Sequence, residues 1–404
     1  MKILHVLYQS LPQVSGSSIR SRDILLSQTE IGLNVLAITS PFQNSISGEK
    51  EDFINQIRYI RTSKSIENSI SDQKKSVLSR LARMFSIIPF TFKLYKTIKN
   101  EKPDIIHAHA MFFCGLPAIF IGRITRTPVV YEFRSLWMFQ KKNKKDNKTD
   151  YFFDKWLLKM EIFTLMNADC SVFLNESLRD YFLKKGCKFS NSVVVNNAVN
   201  TTLINSVKSN KKNEKRALVF GYIGTLTDYE GIEFLVESFQ DLYDEGIKNK
   251  LIIYGDGISK KSVVEKIQNR PDIETIEYKG SVLPENISTA FSEIDVIVNP
   301  RLSTDVTNSV TPLKPLEAFA YDKIVVGSDV GGILELVQDE VTGFTFKAED
   351  KNDLNRVIKR VINLSDLEQN RITKEAFNYV ITNKSWLKNA ERYCSIYKDI
   401  SNLN

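Results

Sequence analysis

The sequence predicts an α/β protein made of two doubly wound, Rossmann-like domains, and three observations carry that expectation. The chain has 404 residues, more than one hydrophobic core usually organises, so two domains of roughly 200 residues are expected. Short apolar, β-branched runs alternate with amphipathic stretches along its whole length, as in parallel sheets built of βαβ units. From Thr201 to Arg216 this periodicity stops; the stretch is polar and lysine-rich (Lys208, Lys211, Lys212, Lys215), and a new apolar run starts at Ala217.

We therefore expect an N-terminal domain over 1–200, a linker over 201–216 and a C-terminal domain over 217–384, with a last helix over 385–404 packing back onto the first domain. The apolar runs predict strands at Ile3–Tyr8, Val35–Thr39, Ile57–Arg61, Ile105–His109, Val129–Phe133, Cys170–Leu174 and Val193–Asn196 in the first half. The second half restarts with Leu218–Ile223, Leu251–Tyr254, Ile276–Lys279, Val296–Asn299 and Ile324–Gly327, and with a helix over Gly231–Tyr243. In doubly wound sheets ligands bind outside the carboxyl ends of the strands, so a substrate is expected in a cleft between the halves.

Composition narrows the classes. Hydrophobic residues at 42% and charged residues at 25% are ordinary for a globular chain, which excludes disordered, collagenous and disulfide-scaffold classes. Cys114, Cys170, Cys187 and Cys394 are scattered without C-x-x-C spacing, which suits a reducing compartment. The apolar start Met1–Leu7 is too short for a signal peptide, and the longest apolar stretch, Met111–Gly122, is interrupted by Pro117. The expected location is cytoplasmic, possibly peripheral on the inner face of a membrane. A net charge of +7 favours anionic partners without choosing among them.

Ser15-Gly16-Ser17-Ser18 follows the first strand and feeds a helix expected from Ile19. Small residues at a helix N-terminus let backbone N–H groups approach an anion or a hydroxyl-rich ligand, though an ordinary turn reads the same way. Arg20 and Arg22 stand in the first turn of that helix. Two of the three histidines fall in Asp104-Ile105-Ile106-His107-Ala108-His109, where strand alternation puts both on one face and His109 at the carboxyl end. His109 is read as a site residue, and His107 and His5 as structural. No cysteine or carboxylate cluster accompanies them, so no metal is expected.

In the second half Gly221-Tyr222-Ile223-Gly224-Thr225 and Gly255-Asp256-Gly257 both directly follow strands, where glycines permit tight turns and close approach to phosphate or ribose. Asn299-Pro300-Arg301 and Val310-Thr311-Pro312-Leu313-Lys314-Pro315-Leu316-Glu317-Ala318 come next. Pro312 and Pro315 fit a rigid loop and a first helical turn, placing Lys314 near a helix N-terminus as a phosphate clamp and Glu317 one turn on as an acceptor for ribose hydroxyls. The plainer alternative is a solvated lysine and a capping glutamate.

Here the sequence resembles glycosyltransferase family 4, over nearly the whole chain. The resemblance rests on Pro103 to His109, Tyr131-Glu132-Phe133-Arg134-Ser135-Leu136-Trp137, Tyr222 to Leu226, Gly255-Asp256-Gly257, Val310 to Ala318, and Ser328-Asp329-Val330-Gly331-Gly332 with Glu335. It implies the GT-B fold and retaining transfer from a nucleoside diphosphate sugar to a glycan or lipid-linked acceptor, such as a cell-surface glycan precursor. The N-terminal half would hold the acceptor through Gly16, Ser17, Arg20 and Arg134. The C-terminal half would hold the donor through Gly224, Thr225, Gly255, Asp256, Gly257, Ser309, Val310, Thr311, Pro312, Leu313 and Glu317.

Glu317 matches the second glutamate of the family's Glu-x7-Glu motif, whereas the first falls at Ser309. The Arg and Lys common in the family's second-domain glycine loop are replaced by Thr225 and Glu230, so diphosphate neutralisation leans on Arg301 and Lys314. The Val-Thr-Pro-Leu-Lys-Pro-Leu-Glu form resembles one branch of the family. Leaving-group departure builds negative charge that cations or oriented dipoles must stabilise. No Asp-x-Asp occurs, so a metal-independent enzyme without a cofactor is expected, with His109, Arg301 and Lys314 as its catalytic residues. The rival readings are a non-catalytic nucleotide-binding paralogue and a same-fold sugar-nucleotide epimerase; a nucleic-acid partner is not expected.

Between Val77 and Lys102, Leu78, Leu81, Phe85, Ile87, Ile88, Phe90, Phe92 and Leu94 are interspersed with Arg80, Arg83, Lys93, Lys96 and Lys99. Pro89 is expected to divide the stretch into two short helices that dock on an anionic membrane, with Lys141-Lys142-Asn143-Lys144-Lys145 as a second basic stretch. The alternative is that the apolar face packs on the N-terminal sheet.

Overall fold

A computed structural model describes residues 1–13, 15–43, 50–63, 85–136, 148–199, 216–283 and 286–402. The expected linker except Arg216, Trp137, the basic stretch 141–145 and the segment 77–84 lie outside them. The chain forms two compact units, Met1–Asn196 with Trp386–Asn404, and Asn197–Ser385.

The first unit holds β1 (Lys2–Leu7), α1 (Gly16–Glu30), β2 (Asn34–Thr39), β3 (Glu51–Ile54), β4 (Ile57–Ile60), α2 (Ile87–Glu101), β5 (Ile105–His109), α3 (Phe112–Thr125), β6 (Val129–Phe133), α4 (Lys148–Asn167), β7 (Cys170–Phe173), α5 (Glu176–Lys184) and β8 (Ser192–Val194). The strands make one sheet in the order β3-β4-β2-β1-β5-β6-β7-β8. All pairs are parallel except β3 with β4. Strand β3 was not expected from sequence: its alternation is Glu51, Asp52, Phe53, Ile54, and none of the four is fully buried. The C-terminal helix Trp386–Ser401 belongs to this unit and buries Trp386, Ala390, Tyr393 and Tyr397.

Helix α1 begins three residues before the expected Ile19, because Ser15 caps it: its hydroxyl accepts from the Ser18 N–H, and the Ser18 hydroxyl accepts from the Ser15 N–H at 2.8 Å. Pro89 does not divide α2. It lies in the first turn, where its missing N–H has no intrahelical partner to lose. Phe90, Leu94 and Ile98, four apart, form the buried stripe of α2.

The second unit continues with β9 (Phe220–Ile223), α6 (Ile232–Asp244), β10 (Leu251–Tyr254), α7 (Lys260–Gln268), β11 (Ile276–Gly280), α8 (Ile287–Ser292), β12 (Val296–Asn299), α9 (Asp305–Ser309), α10 (Lys314–Ala320), β13 (Ile324–Ser328), α11 (Gly331–Leu334), β14 (Phe344–Phe346), α12 (Lys351–Ile362) and α13 (Asp366–Asn383). Its six strands are parallel in the order β11-β10-β9-β12-β13-β14. The central strands are apolar on both faces, with Phe220, Tyr222, Ile253, Val296, Val298 and Val326 in one core layer and Ile252, Ile297 and Val325 in the other. That burial explains why they read as continuous apolar runs.

Candidate functional site

In the second unit four sequence-predicted segments meet at the carboxyl ends of the strands. The loops after β9 and β10 are laced by backbone hydrogen bonds, Gly224 N–H to Tyr254 O at 3.1 Å and Leu226 N–H to Asp256 O at 2.9 Å. A Cβ on Gly255 would strike the Gly224 carbonyl, and one on Gly257 the Leu226 carbonyl. These two glycines therefore let one loop lie on the next, and the room they leave is filled by backbone and not by open space. Asp256 is exposed, and its carboxylate accepts from the Gly257 N–H at 2.8 Å.

The space beside Gly224 is filled by the aliphatic stem of Lys314. Lys314 opens α10, with Pro315 beside it in the first turn as expected. Its ammonium lies 5.3 Å from the centre of the Tyr222 ring and 2.8 Å from Glu230 Oε1. Arg301, just past β12, donates to the same Glu230 Oε1 at 3.0 Å and to Val310 O at 3.2 Å. Burial pushes the Glu230 carboxyl up, but Arg301 and Lys314 outweigh it and hold it at about 2. Burial depresses the Lys314 ammonium, with Glu230 opposing, and its pKa stays below the ordinary lysine value. The three side chains carry one net positive charge.

Glu230 was noted from sequence only as a departure. Its role as the internal counter-ion of both expected phosphate-binding cations was missed. The available signal was an acidic residue, Glu230, in the loop after β9, set against Arg301 just past β12 and Lys314 at the start of α10.

The loop 309–313 leaves α9, whose start is capped by Thr304 accepting from the Thr307 N–H at 3.1 Å. Thr311 donates to Glu335, and its carbonyl accepts from Asn197 at 2.7 Å. The Gly331-Gly332 turn packs on this loop, since a Cβ on either would hit the carbonyls of Asn308 or Val310. Ser309, Val310, Thr311, Pro312 and Leu313 are thus fixed against Arg301 and Glu335, and Glu317 is half-buried in the first turn of α10. Thr225 is exposed, and its carbonyl accepts from the Tyr222 hydroxyl at 2.8 Å.

In the first unit the expected acceptor residues turn inward. Arg20 donates to Glu132 at 3.0 Å, to Val195 O at 2.9 Å and to Tyr393 at 3.2 Å. Arg134 donates to the same Glu132 oxygen at 2.7 Å, to Ser17 O at 2.7 Å and to Ser21 at 2.8 Å. Glu132, wholly buried on β6, gathers both guanidiniums; burial raises its carboxyl, yet the arginines and His109 hold it well below the usual range. Their bonding makes Arg20 and Arg134 parts of the buried framework and not surface contacts. Gly16 differs: a Cβ there would meet open space.

His109 stands at the carboxyl end of β5, but its side chain is buried and both ring nitrogens are bonded, Nδ1 with Arg134 at 2.6 Å and Nε2 with His5 Nδ1 at 2.7 Å. Arginine only donates, so His109 Nδ1 accepts and its proton is on Nε2. That proton goes to His5 Nδ1, and His5 Nε2–H then donates to Gln28 at 3.0 Å. Gln28 donates to Tyr397 at 2.8 Å, and Tyr397 donates to His107 Nδ1 at 2.7 Å. His107 Nε2–H closes the chain, 3.7 Å from Glu132 Oε2 and without a hydrogen-bond partner. Burial lowers all three histidines; neighbouring imidazoles add to this at His5 and His107, and Arg134 at His109, which is lowered to about 4.

His5, His107 and His109 bring ligand atoms within 4.8 Å of one another, close enough for a metal ion. Each imidazole lone pair already accepts a protein hydrogen bond, and two arginines adjoin the cluster, so the donor set fits a hydrogen-bonded chain better than a cation. Ala110 and Met111, directly after His109, have φ of 44° and 55°, a strained pair of non-glycine residues of the kind that clusters at functional sites. No glycine marked this turn in the sequence.

Two family models match, glycosyl transferases group 1 over residues 204–378 and glycosyltransferase family 4 over residues 63–203. The capsular polysaccharide biosynthesis glycosyltransferase CapM of Staphylococcus aureus is 23% identical over 307 residues, covering 72% of this chain and 76% of that protein. The sucrose-phosphate synthase of Thermosynechococcus elongatus superposes with a TM-score of 0.78 at 17% identity over all of both chains. HepE of Anabaena, solved in complex with UDP, gives 0.72 at 15% identity over 99% of this chain and 100% of that one. With a family 4 domain followed by a group 1 domain, this chain is a glycosyltransferase of the GT-B fold.

Proposed function

We propose that the chain is a retaining, metal-independent glycosyltransferase that moves a sugar from a nucleoside diphosphate sugar to a lipid-linked or cell-surface glycan precursor. The observation that carries this reading is the pair of cations, Arg301 and Lys314, at the carboxyl ends of the second unit's strands. Charge that develops on a departing diphosphate is stabilised by such fixed donors. Glu317, in the first turn of α10, takes a ribose hydroxyl. The UDP complex of HepE makes a uridine nucleotide the first donor to try, and the role of CapM in capsular polysaccharide biosynthesis supports a cell-surface glycan acceptor. Among the described residues of the first unit, Gly16 and the Ala110–Met111 turn, and not the ring of His109, meet the acceptor in this reading.

Glu230 favours a second reading. A carboxylate that already neutralises one of two cations suits a nucleotide-binding paralogue that performs no transfer. Incubating the pure chain with radiolabelled nucleotide sugars and a membrane glycolipid extract, in the presence of a chelator, separates the two. Labelled glycolipid or donor hydrolysis supports the transferase. Nucleotide binding with neither reaction supports the paralogue.

A further inference from the structure

Helix α3 opens without a local cap. Met111 stands in the cap position with φ of 55°, directly after Ala110 at 44°, and makes no side-chain cap hydrogen bond. The first N–H groups of a helix have no intrahelical partner and need one from elsewhere. Cys114 N–H turns back to Met111 O at 3.0 Å, and Phe112 N–H donates to Glu161 Oε1 at 2.9 Å. The cap therefore comes from α4, 49 residues further along the chain. A carboxyl group at this end also suits the helix dipole.

Glu161 is wholly buried, and its second oxygen, Oε2, accepts from the Tyr131 hydroxyl of β6 at 2.5 Å. With one oxygen turned to α3 and the other to β6, it faces protein on both sides and not a substrate. Close packing brings it within reach of α3. A Cβ on Gly115 would strike Thr164 of α4 and the Tyr131 ring, and Thr164, three residues after Glu161, lies on the same face of α4.

Ala110 N–H donates to Glu132 O at 2.9 Å. The two positive-φ residues are thus pinned by β6 on one side and, through Phe112, by Glu161 on the other. Such backbone conformations persist only where the surroundings over-determine them. The start of α3 also reaches two further strand ends. The ring of Phe113 lies 5.5 Å from that of Phe42, after β2, and Phe42 lies 5.5 Å from Tyr8, after β1.

We propose that Glu161 is a positioning residue for transfer, capping α3 from α4 and so holding the Ala110–Met111 turn where the acceptor meets it. The proposal rests on the reading of that turn as part of the acceptor site.

The test titrates membrane glycolipid extract into the full chain with radiolabelled nucleotide sugar, and measures UDP affinity and donor hydrolysis alongside. Glu161→Met keeps the length of the side chain and removes the acceptor for Phe112 N–H. It should raise the amount of extract needed for half-maximal transfer by about tenfold or more, with UDP affinity and donor hydrolysis unchanged. Amide exchange at Phe112 should speed up in the same variant. Glu161→Gln keeps an oxygen for Phe112 N–H and should return both readouts to near the wild-type values. If Glu161→Met does not fold, Glu161→Asp, too short to reach the same N–H, should show the same shift in smaller measure. Half-saturation unmoved in the variants that fold, Glu161→Gln failing like Glu161→Met, or UDP affinity falling in step overturns the proposal. A wild type that transfers nothing overturns the acceptor reading and this proposal together, whereas a wild type matched by Glu161→Met overturns this proposal alone.

Discussion

Glu230 Oε1 lies 2.8 Å from the ammonium of Lys314, a carboxylate from the loop after β9 meeting a lysine that opens α10. Arg301 shares the same oxygen at 3.0 Å. The donor site proposed here is therefore charge-balanced in part before any nucleotide arrives, and four predictions turn on that network and its counterpart in the first unit.

Lys314→Met keeps the stem that packs beside Gly224 and removes the charge. Losing one donor aimed at developing negative charge costs about 2.7–4 kcal/mol, so transfer should fall roughly 100- to 1,000-fold. Glu230 keeps Arg301 as a partner, and the melting temperature should move little. Arg301→Ala should lose activity and also stability, because Arg301 donates to both Glu230 and Val310 O, and a hydrogen bond to a charged group contributes about 1.5–3 kcal/mol.

Glu230→Gln removes the internal anion and raises the site's net charge, so a nucleoside diphosphate should bind several-fold tighter to the variant in calorimetry. Its carboxyl is held at about 2 against an ordinary 4.5. The stabilisation it lends is complete above about pH 4.5 and is lost as pH falls toward 2, on the order of 3 kcal/mol in all. Urea unfolding at pH 5 and pH 3 should show that wild type loses more stability over this interval than Glu230→Gln. Equal losses would mean the carboxylate is not held by its two cations.

The histidine chain predicts a second acid dependence. His109 is neutral in the fold down to about pH 4, while in the unfolded chain it protonates near 6.5. Stability should therefore be full above pH 6.5 and fall as pH drops toward 4, by about 2 kcal/mol at pH 5 from His109 alone. His109→Gln should flatten that slope and lower the melting temperature at pH 7. A variant as stable as wild type at neutral pH, with transfer lost, would return the ring of His109 to the chemistry.

Gly224→Ala tests the packing of Lys314 without touching its charge. A methyl there collides with the lysine stem, so nucleotide affinity should drop by about tenfold or more while the rest of the fold melts normally. Normal affinity would show that Lys314 reaches its ligand by another rotamer.

Much of the fold was legible because the central strands are buried on both faces and read as unbroken apolar runs; Ile105–His109 and Val129–Phe133 match residue for residue. Strand β14 was not, since Phe344-Thr345-Phe346 is too short to show a period. The segments proposed here to hold the donor stand out in the sequence because they follow strand ends, where local chemistry is visible. What sequence could not show is which charges pair. Arg20 and Glu132 are 112 positions apart, and nothing local says that Arg20 turns inward to β6 and not out to a ligand. The same long-range pairing hid Glu230 and moved the ring of His109 from the surface into a buried chain.

The central claim is that Arg301 and Lys314 hold the donor's diphosphate. Calorimetric titration of UDP against UMP, with the ADP and GDP pairs alongside, measures it directly. The diphosphate of the matching base should bind at least about tenfold tighter than its monophosphate, a difference of about 1.4 kcal/mol, and the gap should close in Lys314→Met. Equal affinity for diphosphate and monophosphate, or a gap that survives in Lys314→Met, would contradict the account.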